Sequence, residues 1–112
     1  MRLDPYVVVI GTRDRASQSV IVLRAGGYQV TKVPDSDVAA KEAALLQPDA
    51  IVLDLPPPQA NRLSRQLLTI VPSMPLLVVT SAPTLVQSAA LPRSEIDMSL
   101  ISTVDRMLVD AA

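Results

Sequence analysis

Apolar residues along this chain fall into two alternating kinds of run: short continuous blocks rich in Val and Ile, and longer stretches with helical spacing. The block Tyr6-Val7-Val8-Val9-Ile10-Gly11 is continuous and β-branched, as expected of a strand buried on both faces of a parallel sheet. After Thr12 or Asp14 as N-cap, Ala16, Val20 and Leu23 recur at i, i+4 and i+7 and predict a helix closed by Gly26-Gly27, where a left-handed cap favours glycine. Tyr28 to Val33 is a second strand. Pro34-Asp35-Ser36 reads as a turn and N-cap, followed by a helix presenting Ala39, Ala43 and Leu46 and stopped by Pro48.

Ala50 to Leu55 is the third strand. Beyond Pro56-Pro57-Pro58, read as a stiff loop, Leu63, Leu67, Ile70 and Val71 mark one face of a third helix that Pro72 ends. Pro75 to Thr80 gives a fourth strand. Pro83 and Pro92 bracket Thr84 to Leu91, read as a fifth strand, and Leu100, Val104, Met107 and Leu108 then share the face of an amphipathic terminal helix. Strands alternating with helices imply right-handed crossovers and a parallel sheet with helices on both faces. In such folds the functional crevice lies at the carboxyl ends of the strands, which directs attention to Ile10–Thr12, Asp54–Pro56, Thr80–Ser81 and the residues after Leu91.

Composition narrows the chemistry. The 112 residues, 49% hydrophobic, suit one domain spanning 1–112 with a sizeable core. A net charge of -1 from 10 basic and 11 acidic residues, scattered along the chain, gives no reason to expect a nucleic-acid or membrane surface. There is no Cys and no His, so disulfides, thiolate metal sites and the commonest general base are all absent. Ser17 and Ser19 therefore have no histidine to activate them as nucleophiles. Neither a basic leader followed by an apolar stretch nor a run of transmembrane length is visible, so a cytoplasmic location is the expectation. Two aromatics, Tyr6 and Tyr28, are too few for a base-stacking platform.

Three segments in order, Gly27-Tyr28-Gln29-Val30, Pro48-Asp49-Ala50-Ile51-Val52-Leu53-Asp54-Leu55 and Met74-Pro75-Leu76-Leu77-Val78-Val79-Thr80, carry a resemblance over nearly the whole chain. With Tyr28 and Asp54 separated by 26 positions, the chain resembles the receiver domain of bacterial response regulators. The resemblance implies a flavodoxin-like α/β fold, doubly wound, with a five-stranded parallel sheet in the order 2-1-3-4-5. It places the phosphoacceptor role on Asp54, the hydroxyl switch on Thr80 and the family's lysine position on Arg93.

The departures from the family pattern matter as much. The acidic pair that holds Mg²⁺ in receivers corresponds to Ile10 and Gly11, neither of which can ligate through its side chain, and Asp14 is a poorly placed substitute. Losing the ion removes much of the electrostatics of phosphoryl transfer. Arginine at 93 keeps the charge but changes the reach and fork geometry. The interval from Thr80 to Arg93 is shorter than the family pattern, which implies that the helix between the fourth and fifth strands is shortened or absent.

Each of these residues also has a plainer reading. Asp54 can cap a turn, Thr80 can make a local hydrogen bond, and Arg93 can be a solvated surface charge. The reading adopted is an atypical receiver, or pseudo-receiver. It is a signalling and protein-interaction module and not an enzyme, with no resident metal or cofactor. Its partners would be proteins, such as a histidine kinase, an output domain or a second copy of the chain. Two alternatives stay open: an active phosphoacceptor at Asp54, and a small-ligand or nucleotide-binding module using the same crevice.

Overall fold

A computed structural model of the chain describes residues 5–80, 89–92 and 96–111. Its elements in order are β1 (Tyr6–Gly11), α1 (Arg13–Ala25), β2 (Gln29–Pro34), α2 (Ala39–Leu45), β3 (Ala50–Asp54), α3 (Pro57–Ile70), β4 (Leu76–Thr80), β5 (Ala89–Pro92) and α4 (Ile96–Ala111). The architecture is α/β with an all-parallel sheet. β2, β1, β3 and β4 lie side by side in that order, and the short β5 runs parallel along the outer side of β4.

The continuous apolar runs follow from burial on both faces. Val7, Val8, Val9 and Ile10 of β1 and Ala50, Ile51, Val52 and Leu53 of β3 are all 0% exposed. Because side chains alternate along a strand, they divide between two cores. One contains Val8, Ile10, Ile51, Leu53 and Val78 packed with Ala39, Ala43, Ala60, Leu63 and Leu67 of α2 and α3. The other contains Val7, Val9, Val52, Leu77 and Val79 packed with Val20 and Leu23 of α1 and Leu100 and Val104 of α4. Each fully buried Val, Leu or Ile contributes about 1.5–3 kcal/mol relative to exposure.

Helix ends explain where the chain turns. Gly26 caps α1, and Gly27 at φ 93 turns the chain back. The Tyr28 N–H donates to Leu23 O at 3.2 Å and the Gly27 N–H to Arg24 O at 3.1 Å, the paired bonds of a Schellman motif. Tyr28 and Leu23 meet in the same core. Gly26 has a second reason to lack a side chain, since a Cβ there would sit 2.5 Å from Ile101 Cδ1 on α4. At the end of α2 the left-handed residue is Gln47, φ 52, and Pro48 cannot continue the helix.

Several expectations are corrected. Pro56-Pro57-Pro58 is not a stiff loop: Pro56 is the N-cap of α3, and Pro57 and Pro58 form its first turn. Prolines fit there because first-turn N–H groups have no intrahelical acceptor and φ is already suitable. Ser36 does not cap α2 directly. Its Oγ accepts a 3.3 Å bond from the Val38 N–H, and α2 starts after Val38, so the side chain stabilises the turn before the helix. Leu46 is the C-cap of α2 and 40% exposed, and Ile70, the last residue of α3, is 44% exposed. Both were expected to face the core, but the helices end before their next turn reaches the sheet. Thr84 to Leu91 was expected to be the fifth strand, but β5 covers Ala89–Pro92; residues 81–88, and with them the first part of that stretch and the place of any shortened helix, lie outside the described residues.

Candidate functional site

The carboxyl ends of the strands bring the sequence candidates to one end of the sheet. In the parallel register Gly11 pairs with Asp54, Asp54 with Val79, and Thr80 with Pro92. Asp54 is the last residue of β3 and Thr80 the last of β4. Ile10 and Gly11 end β1 beside Asp54. Arg93, the remaining candidate, lies outside the described residues.

The period of two along β3 determines where Asp54 points. Ile51 and Leu53 face α2 and α3, and Val52 faces α1 and α4, so Asp54 lies on the α1 side. There it is 0% exposed, which does not suit the phosphoacceptor role that the resemblance places on it. Ser19 of α1, itself 0% exposed, donates its hydroxyl to Asp54 Oδ2 at 2.8 Å. A buried carboxylate needs such donors, because an oxygen stripped of water and left without one costs several kcal/mol. Sequence reasoning considered Ser19 only as a nucleophile. The signal that it belongs to this site is its place one residue before Val20, on the buried stripe of α1 (Ser19, Val20 and Leu23).

The acidic-pair positions supply no oxygen ligands from their side chains. Ile10 is 0% exposed in the core under α2 and α3, on the opposite side of the sheet from Asp54. Gly11 continues the row of Val7 and Val9 on Asp54's side of the sheet but has no side chain. Asp14 lies in the first turn of α1. Among the described residues no group of three or more His, Cys, Asp or Glu is gathered in one place. Ile10, Gly11 and a buried Asp54 bonded to Ser19 do not fit a hard dication that takes six oxygen ligands.

At the opposite end of the sheet, polar contacts are structural. The Tyr6 N–H donates to Asp49 Oδ2 at 2.7 Å and the Asp49 N–H returns a 2.7 Å bond to Tyr6 O, tying the start of β1 to the approach to β3. The Tyr6 hydroxyl donates to Thr31 Oγ1 on β2 at 2.7 Å. The Arg62–Asp35 pair at 3.5 Å lies instead just beyond the carboxyl end of β2; Arg62 is exposed and Asp35 partly so, and the pair contributes little.

No family model and no curated protein matches the chain. A solved structure from Peptoclostridium difficile 630, a fragment named "putative lipoprotein", superposes with a TM-score of 0.71 at 10% identity, covering 94% of this chain and 99% of that one. At that identity the likeness concerns the fold alone. Among the described residues no helix is long and apolar enough to cross a membrane.

Proposed function

We propose that this chain is an atypical receiver-like domain of flavodoxin-like topology that works as a protein-interaction module, without Mg²⁺-dependent phosphorylation of Asp54. The observation that carries the reading is the state of Asp54. Its carboxylate is buried beneath α1 and engaged by Ser19, so it serves as a structural tie between β3 and α1. A phosphoryl acceptor must meet its donor in line, and a carboxylate without solvent exposure does not. The strand order β2-β1-β3-β4-β5 and Ile10 and Gly11 at the end of β1 support the same reading. Signalling then depends on surfaces recognised by a protein partner, such as a kinase or an output domain, and not on a metal or cofactor.

The test is intact-mass spectrometry after incubation with acetyl phosphate or phosphoramidate, with and without Mg²⁺, on the parent and on Asp54→Asn. The expected outcome is no phosphoryl mass gain in either protein. A stoichiometric gain that needs both Asp54 and Mg²⁺ would overturn the proposal and establish the active-receiver alternative.

A further inference from the structure

A surface helix ordinarily turns its larger apolar residues to the core, and α2 does the reverse. Its buried residues are Ala39, Ala40 and Ala43, whereas Leu45 is 82% exposed and Val38, the N-cap, 49%. Of the six exposed large apolar residues among the described residues, three, Val38, Leu45 and Leu46, belong to this two-turn helix and its caps.

Val38, Lys41, Glu42 and Leu45, all exposed, follow at i, i+3, i+4 and i+7 and form one stripe along the outer face of α2. With 3.6 residues per turn, Val38 and Leu45 lie on its midline while Lys41 and Glu42 diverge to opposite flanks. The stripe therefore has an apolar midline, one positive flank and one negative flank. Among the described residues neither the Lys41 nor the Glu42 side chain has an ion-pair partner within the chain. The acids just before α2 lie outside the stripe: Asp35 is paired with Arg62, and Asp37 is in the preceding turn.

We propose that two copies of this chain pair through the outer face of α2, helix beside parallel helix, about a two-fold axis running along α2. Such an axis exchanges the flanks, so Lys41 of each copy faces Glu42 of the other, while Val38 meets Val38 and Leu45 meets Leu45. An antiparallel pairing would instead set Lys41 against Lys41 and Glu42 against Glu42. Charges beside an apolar seam select orientation and partner in this way, and the two-fold closes at a dimer. A second copy is the occupant because the stripe is complementary to itself, each flank finding in register the charge it lacks. The stripe is only about 10 Å long, well short of the roughly 800 Å² per partner of a stable complex. The dimer is accordingly weak, forming at roughly 0.1–1 mM. α2 packs on the side of the sheet opposite Asp54, so this pairing stands or falls independently of the state of that side chain.

The experiment is sedimentation equilibrium of the full chain from micromolar to millimolar concentration. Lys41→Glu and Glu42→Lys each turn two attractive contacts into repulsive ones and are expected to weaken association about tenfold. An equimolar mixture of these two variants is expected to associate as tightly as the parent, because each carries the charges the other's flanks now lack. Arg65→Glu makes the same change in net charge as Lys41→Glu at an exposed position of α3, and it is expected to behave like the parent. Three results would each overturn the proposal: a parent that stays monomeric to millimolar concentration, a mixture that associates no more than its components, or an Arg65→Glu variant weakened as much as Lys41→Glu.

Discussion

Replacing Ser19 by Ala removes one oxygen from the α1–sheet interface and leaves Asp54 short of a donor in a place water does not reach. A hydrogen bond to a charged group contributes about 1.5–3 kcal/mol, and the 2.8 Å bond between two fully buried groups belongs at that end of the range. Ala is the better helix former by about 0.5 kcal/mol, so the net loss expected for Ser19→Ala is about 1–2.5 kcal/mol. A domain of this size has a total stability on the order of 6–17 kcal/mol, which makes the loss easily measured. In urea, with a slope of about 1–3 kcal/mol/M, the unfolding midpoint should fall by roughly 1 M.

A double-mutant cycle isolates the pair. Asp54→Ala alone leaves the Ser19 hydroxyl buried without its acceptor, and it also disturbs the other interactions of Asp54, so it should cost more than Ser19→Ala. The double variant should be more stable than the sum of the singles implies, with a coupling of about 1–3 kcal/mol. Additivity within about 0.5 kcal/mol would refute the assignment of Asp54 as a tie to α1, because independent sites do not share a bond.

Two further substitutions test the backbone and the core. Gly27→Ala should destabilise by about 1 kcal/mol by thermal or urea unfolding, since an L side chain resists the left-handed region while open space around this position removes any steric term. Ser64→Ala should leave stability unchanged or raise it by about 1 kcal/mol, because its Oγ is buried on α3 with no hydrogen-bond partner among the described residues and the methyl group gives up only the cost of keeping a hydroxyl dry.

Much of the fold was legible because burial on two faces leaves a plain mark. The blocks Val7–Ile10 and Ala50–Leu53 are unbroken runs of small and branched apolar residues, and both are fully buried. Helix faces were legible where they ran for several turns. Leu100 and Val104 of α4 and Leu63 and Leu67 of α3 lie in the core as their spacing required. The errors sit at helix ends. Leu46 and Ile70 fit the period but fall where the helix stops, and a hydrophobic pattern does not say when the last turn has left the sheet. Pro56-Pro57-Pro58 was misread for a related reason: the same fixed φ that breaks a helix interior suits a helix start, so three prolines in a row carry two opposite meanings.

The site was legible in position and not in state. A carboxylate ending an apolar strand was placed correctly at the carboxyl edge of the sheet, because strand ends follow from the length of the run. Whether that carboxylate faces water depends on what the neighbouring helix puts over it, and that is a contact across 35 positions of sequence. The residues around it agree with the buried state. With Ile10 turned to the opposite core and Gly11 offering only hydrogen on Asp54's side, the end of β1 adds no charge that an ion would have to neutralise. A buried Asp side chain in such surroundings needs hydrogen-bond donors, and Ser19 is one of its partners. Restoring acidic groups at both Ile10 and Gly11 would therefore not recreate an ion site by itself, because one of them would enter the α2–α3 core and Asp54 would remain tied beneath α1.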